Sequence, residues 1–232
     1  MNRTGVILAG GDLDLSFAKE IIGDLSARGG VYLAAADAGL EACEKLGVLP
    51  DLLLGDFDTV RQEVLARFLS RSGVTVERHN PVKDASDLEL AVQALRKRNL
   101  RDAVVLGALG GRADHACANV RLTYHAALHG MRLTLLDPQN RIRCVLSEGE
   151  DPQEVRIQKS EQWGRYIGFF PIGGAVRHLT LTGFRYPLTD FTLTDRTSPS
   201  LTVSNELSGE AGTIRFSGED GAGLLILESR DL

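Results

Sequence analysis

The strongest constraint on what this chain can fold into is a change of hydrophobic period close to Asp137. Before it, short apolar runs alternate with longer segments whose apolar residues recur at three and four, such as Leu88, Ala91, Val92 and Leu95, or Val64, Leu65, Phe68 and Leu69. That spacing places them on one face of a helix. The short runs at 5–9, 31–36, 52–54, 74–77, 104–109 and 133–136 read as strands, and strands alternating with helices build a mostly parallel sheet covered by helices. After Asp137 the alternation becomes apolar, polar, apolar, as in Leu179-Thr180-Leu181-Thr182, Phe191-Thr192-Leu193-Thr194 and Ile214-Arg215-Phe216. Turn-forming stretches around Gly173-Gly174, Gly209 and Gly218 to Gly221 punctuate these runs. Half-buried strands at such spacing make an all-β sandwich of about 80 to 90 residues.

The predicted fold class is therefore α/β: a Rossmann-like, mostly parallel sheet domain over 1–137, followed by an all-β sandwich domain over 138–232. With 232 residues, 43% of them apolar, the chain can bury two modest cores. A net charge of −5 gives no electrostatic footprint for a nucleic-acid backbone or an anionic membrane, so the expected partner is a small molecule. No apolar run approaches the roughly 18 residues that span a bilayer. The run Val6 to Ala9 ends at Gly10-Gly11 and reads as a first strand rather than a signal peptide. Cys43, Cys117 and Cys144 are an odd number without C-x-x-C spacing, which points to the reducing cytosol. Cys43 and Cys117 fall on apolar helix faces, as packing residues.

Several acids lie just past predicted strand ends: Asp37, the pair in Gly55-Asp56-Phe57-Asp58, and Asp84 and Asp87 in Lys83-Asp84-Ala85-Ser86-Asp87. In an open parallel sheet these loops gather at one edge, where ligands of this architecture bind. Two carboxylates about 4 Å apart repel by roughly 4 kcal/mol at an effective dielectric near 20, so a cluster needs a counter-charge. Oxygen donors without histidine or cysteine favour Mg²⁺, which bridges carboxylates to phosphates. Structural readings stand beside these. Asp37 before Gly39 also suits a helix cap; Ser86 with Glu89 forms a capping box, which puts Asp87 in a first helical turn, where the helix dipole favours an acid.

A glycine-rich loop, Gly107-Ala108-Leu109-Gly110-Gly111-Arg112-Ala113-Asp114-His115, runs into a helix. Adjacent glycines let backbone N–H groups approach an anion, and Arg112 can fork onto phosphate oxygens. A tight turn capped by Asp114 is the plainer alternative. Gly10-Gly11 serves either the ligand or a turn. His125 and His129 sit one helical turn apart, but without the glutamate of H-E-x-x-H, and read as surface residues.

Together these residues resemble the thiamine pyrophosphokinase family. The resemblance runs through Asp37-Ala38-Gly39, Gly55-Asp56-Phe57-Asp58-Thr59, Lys83-Asp84-Ala85-Ser86-Asp87, Gly110-Gly111-Arg112-Ala113-Asp114-His115 and Val203-Ser204-Asn205-Glu206, in that order. It implies transfer of pyrophosphate from ATP to the thiamine hydroxyl, giving thiamine diphosphate and AMP. It further implies that Asp56, Asp58 and Asp87 bind Mg²⁺ and the transferred group, with Asp37 near the reacting hydroxyl. Lys83, Gly110, Gly111, Arg112, Asp114 and His115 would hold ATP, and Ser204, Asn205 and Tyr186 thiamine. The implied assembly is a cytoplasmic homodimer with the site at the subunit interface. Thr59 stands where the family commonly has Ser, and Tyr186 where it often has Trp, a smaller stacking surface. Alternatives on the same residues are a pyrophosphokinase for another hydroxymethyl compound such as a pterin, a phosphatase using Asp56-Phe57-Asp58-Thr59-Val60 as a D-x-D-x-[TV] nucleophile motif, and a non-catalytic nucleotide- or thiamine-binding regulator.

Overall fold

A computed structural model describes residues 3–58, 60–79 and 85–231. It divides into two compact units: Met1–Leu122 with Gly130–Pro138, and Thr123–His129 with Gln139–Leu232.

In the first unit the strands β1 (Thr4–Leu8), β2 (Val31–Ala36), β3 (Leu52–Gly55), β4 (Thr75–Arg78), β5 (Asp102–Leu106) and β6 (Arg132–Leu136) lie in the order β4-β3-β2-β1-β5-β6. Every pairing is parallel. Central strands buried on both faces must be apolar throughout, and Val6, Ile7 and Leu8 of β1 and Leu52, Leu53 and Leu54 of β3 are fully buried. The helices α1 (Leu15–Arg28), α2 (Gly39–Leu46), α3 (Gln62–Leu69), α4 (Asp87–Lys97) and α5 (Ala113–Leu128) alternate with these strands. Their starts are written locally: Asp14 Oδ1 accepts the Phe17 N–H at 2.9 Å, and Ser86 Oγ accepts that of Glu89 at 3.2 Å, each satisfying one orphan donor. Strand β5 ends at Leu106, earlier than the apolar run to Leu109 suggests, because Gly107 turns the chain at φ 75°.

From β1 the chain steps outward to β4 and then crosses back to β5. The order reverses between β1 and β5, so a crevice opens beyond their carboxyl ends.

The second unit carries two antiparallel sheets. One has β13 (Gly223–Ser229) between β7 (Asn140–Leu146) and β9 (Tyr166–Ile172). The other runs β11 (Leu188–Leu193), β10 (Val176–Thr182), β12 (Ala211–Gly218), β8 (Gln153–Gln158). Ile167, Phe169, Leu224 and Ile226 of the first sheet and Leu179, Leu181, Ile214 and Phe216 of the second make one buried cluster, the interior of the expected sandwich. Glu228 is also fully buried, and it is paired: Arg141 forks onto it at 2.9 and 2.6 Å and the Trp163 N–H adds a bond at 3.0 Å. Removing either partner of such a pair costs more than the pair itself contributes.

Among the described residues no helix is long and apolar enough to cross a membrane. Cys43 is buried, but Cys117 is exposed and does not pack as its helix position suggested. The first turns of α5, Ala113 to Ala118, lie largely open to solvent, so its apolar positions there meet no core.

Candidate functional site

The acidic loops beyond β2 and β3 converge because two glycines permit it. Gly39 opens α2 directly against β1, where a Cβ would stand 2.0 Å from the Leu8 carbonyl oxygen. Gly55 ends β3 at φ 149°, and a Cβ there would lie 3.2 Å from Cα of Asp37. The backbone of Asp37 is left-handed, φ 45°, a region aspartate tolerates. Its N–H donates to the Leu54 carbonyl at 2.8 Å, which extends the β2–β3 ladder past the strand end. Ala38 occupies the cap position of α2 and offers no side-chain cap, while the Asp37 carbonyl accepts the Leu40 N–H at 3.0 Å.

On the neighbouring loop the Asp58 N–H donates to Asp56 Oδ1 at 3.1 Å, a local turn closed by the acid's own side chain. Phe57 between them is held at φ 62° and is buried. A bulky residue there carries strain of about 1–3 kcal/mol, and burying a phenylalanine returns roughly 1.5–3 kcal/mol. The two are of the same size, so the packed ring holds the strained turn that directs both acids. One carboxylate oxygen each from Asp37, Asp56 and Asp58 then lies within 4.8 Å of the others. Three carboxylates at that spacing, with no histidine or cysteine among them, fit a hard divalent cation.

Asp37 also belongs to a cleft of about 680 Å³ at the β1/β5 crevice. Ser86 and Asp87 from the start of α4 line it, as do Gly110, Gly111, Arg112, His115 and Asn119. Asp87, half-buried, thus shares the cleft with Asp37 but does not join the carboxylate trio formed among the described residues. Gly110 and Gly111 take φ 87° and 66°, the left-handed pair that the loop needs before α5. Gly10 and Gly11 line the cleft, and Gly11 is also structural: its N–H donates to Gly107 O at 3.1 Å, where a Cβ would stand at 2.5 Å. Lys83, Asp84 and Thr59 lie outside the described residues.

The fork of Arg112 is filled by Asp114, at 3.1 Å from Nε and 2.6 Å from Nη2. The Arg112 guanidinium, helped by the His115 N–H, holds the Asp114 carboxyl below its ordinary range. Both side chains are exposed, where solvent screening leaves such a pair little net worth. Handing Arg112 to another anion therefore costs little. Two cleft residues escaped the sequence reading. Asp12, whose Oδ2 would stand 3.1 Å from a Cβ on Gly110, obeys the same strand-end rule as the other acids. Asn119 donates to the Ala108 carbonyl at 2.8 Å, a contact with no sequence signal.

The sandwich unit has its own cleft of about 710 Å³, lined by Arg165, Tyr166, Arg185, Tyr186, Ser204 and Glu206 among others. Tyr186 is exposed and Ser204 is left-handed at φ 56°. Asn205 is buried behind them, with its amide spent on the Tyr186 and Glu206 backbone. Glu206 accepts from Arg165 Nε and from Arg185 Nη1, each at 2.9 Å, and these bonds depress its carboxyl. His125 and His129 pack ring to ring at 4.7 Å on the surface.

Comparison with known proteins covers both units. Residues 27–135 match the model of the thiamin pyrophosphokinase catalytic domain, and 153–220 that of the thiamin pyrophosphokinase vitamin B1 binding domain. The thiamine pyrophosphokinase of Bacillus subtilis is 32% identical over 191 residues, 82% of this chain and 83% of that protein. The crystal structure of the Bacillus subtilis enzyme aligns over 99% of this chain and 100% of its own at a TM-score of 0.80 and 31% identity. The thiamin pyrophosphokinase of Geobacillus thermodenitrificans aligns over 98% of both at 0.75 and 27%. With two domain models in the expected order and a relative this similar over most of both chains, the chain belongs to the thiamine pyrophosphokinase family.

Proposed function

We propose that this protein transfers the pyrophosphoryl group of ATP to the hydroxyl of thiamine, with Asp37, Asp56 and Asp58 holding Mg²⁺ and the nucleotide lying along the β1/β5 cleft. The observation that carries the reading is the double membership of Asp37, which belongs both to the carboxylate trio and to the cleft with the glycine loop. The N–H groups around Gly110 and Gly111 and the start of α5 bind phosphate oxygens, and Arg112 leaves Asp114 for them. Asp87, which lines the same cleft, helps to hold the Mg²⁺ and the transferred group. Bound Mg²⁺ would neutralise the trio and the phosphate charge. The thiamine hydroxyl oxygen bonds to the β-phosphorus, the bond to the bridging oxygen breaks, and AMP departs. Asp37 accepts the hydroxyl proton. Positioning and electrostatics supply most of the rate in such a transfer.

Thiamine sits in the sandwich cleft against Tyr186 and Ser204, which Asn205 keeps in place. A cytoplasmic homodimer, in which one subunit's sandwich serves the partner's α/β domain, is the assembly proposed with it. The phosphatase alternative fits less well, since Asp56 follows β3 and not a first strand.

³¹P NMR of the protein with ATP, Mg²⁺ and thiamine tests this. AMP and thiamine diphosphate are expected in equal amounts. Accumulation of ADP, absence of turnover, or turnover with a hydroxymethyl pterin in place of thiamine would overturn it. Asp56→Asn is expected to lower kcat on the order of 1,000-fold while leaving nucleotide binding largely intact.

A further inference from the structure

The two loops that bring the trio together are joined by ion pairs outside the cleft. Glu41 lies in the first turn of α2, four residues after Asp37, and Arg61 is the cap residue of α3, three residues after Asp58. Glu41 Oε1 accepts the Arg61 backbone N–H at 3.3 Å and its Nε at 3.1 Å. The other arm of the guanidinium reaches Glu44 Oε2 at 3.0 Å, and Glu44 is also paired with Arg67 of α3. The Glu41 carboxyl is held below its ordinary range chiefly by Arg61. The Arg61 side chain is 56% exposed while Glu41 and Glu44 are only 26% and 22% exposed, so the carboxylates are held against α2 and the arginine reaches over to them.

A single exposed ion pair contributes little to stability, and that is not the use this arrangement suits. A fork onto two carboxylates, plus a backbone bond to one of them, fixes geometry as well as energy. It ties α2 to the entrance of α3, and so the Asp37 turn to the Asp56-Phe57-Asp58 turn. We propose that Arg61, through Glu41 and Glu44, is a positioning residue that sets the spacing of Asp37 against Asp56 and Asp58 and thereby the affinity of the trio for a divalent cation. This rests on the reading of the trio as a cation site.

Charge makes the test discriminating. Arg61 stands three residues after Asp58, and removing its positive charge makes the potential on that side of the protein more negative, so by Coulomb's law alone Arg61→Ala should bind a divalent cation no less tightly. If Arg61 positions the trio, the same change weakens binding, by about 10-fold, as for groups that orient metal ligands from behind. Mn²⁺ binding to the protein alone, followed by EPR of the free ion, measures this without turnover, and a thermal melt of each variant reports folding. Wild type is expected to bind Mn²⁺, Asp58→Asn to lose binding, Arg61→Ala to bind about 10-fold more weakly while still melting cooperatively, and Arg61→Lys, which keeps the charge but not the fork, to stay weaker than wild type. Unchanged or tighter binding by Arg61→Ala, with binding lost in Asp58→Asn, overturns the positioning role and leaves the cation site standing. Binding that Asp58→Asn does not reduce, or no binding by wild type, overturns the cation site and the positioning role together. Should Arg61→Ala fail to fold, Arg61→Gln is measured in its place against the same outcomes.

Discussion

The Asn205 carboxamide grips the Tyr186 backbone from both sides, accepting its N–H at 2.9 Å and donating to its carbonyl at 2.8 Å. The same oxygen takes the Glu206 N–H at 2.9 Å. Asn205→Ala strips these partners at a position 3% exposed. Urea unfolding is expected to show a loss of about 2 kcal/mol, and steady-state kinetics a rise in KM for thiamine with KM for ATP unchanged. An unaltered unfolding midpoint would refute the account of this residue.

Glycine positions separate crowding from conformation. A Cβ at Gly39 meets the Leu8 carbonyl oxygen at 2.0 Å, within a fully buried strand that cannot retreat. Gly39→Ala is expected to cost about 3 kcal/mol. At Gly111, φ is 66° but nothing lies within 4 Å of the added atom, so Gly111→Ala should cost only the left-handed penalty of about 1 kcal/mol. Equal melting temperatures for the two variants would contradict this.

The Arg112–Asp114 pair has a pH signature. Asp114 is depressed in the folded protein, first by the Arg112 guanidinium and then by the His115 N–H. Its contribution to stability is thus present above the ordinary carboxylate range and disappears as pH falls through the depressed value, below about pH 4. In Arg112→Ala the Asp114 carboxyl should titrate at higher pH by NMR. Adding nucleotide to the wild type should move it the same way, because phosphate takes the arginine. Superimposable titrations of wild type and variant would sink the assignment.

The three thiols should differ sharply in reactivity. Burial pushes both Cys43 and Cys144 up to about 12, so at pH 8 about one in 10,000 of either is thiolate. Cys117 is exposed. A disulfide reagent such as DTNB should label one equivalent rapidly and the other two only on unfolding. A rapid phase that persists in Cys117→Ala would contradict the burial of Cys43 and Cys144.

Particular residues show what the sequence could and could not determine. The change of period at Asp137 separates a helical layer from alternating strands by local chemistry alone, since side-chain direction repeats with backbone geometry. Asp37, Asp56 and Asp58 were readable as strand-end acids for the same reason. Their meeting was not, because it depends on the parallel register Ala36↔Leu54, on the left-handed turns at Asp37 and Phe57, and on Gly39 and Gly55 lying against neighbouring backbone. Only the folded chain decides that Asp37 joins the trio while Asp87 lines the same cleft outside it, that Asn205 turns its amide to the backbone, and that Cys117 faces solvent. It also decides the pairing of Asn140–Leu146 with Gly223–Ser229, which puts Glu228 opposite Arg141. Contacts between residues distant in sequence follow from packing, and no local pattern of residues encodes them.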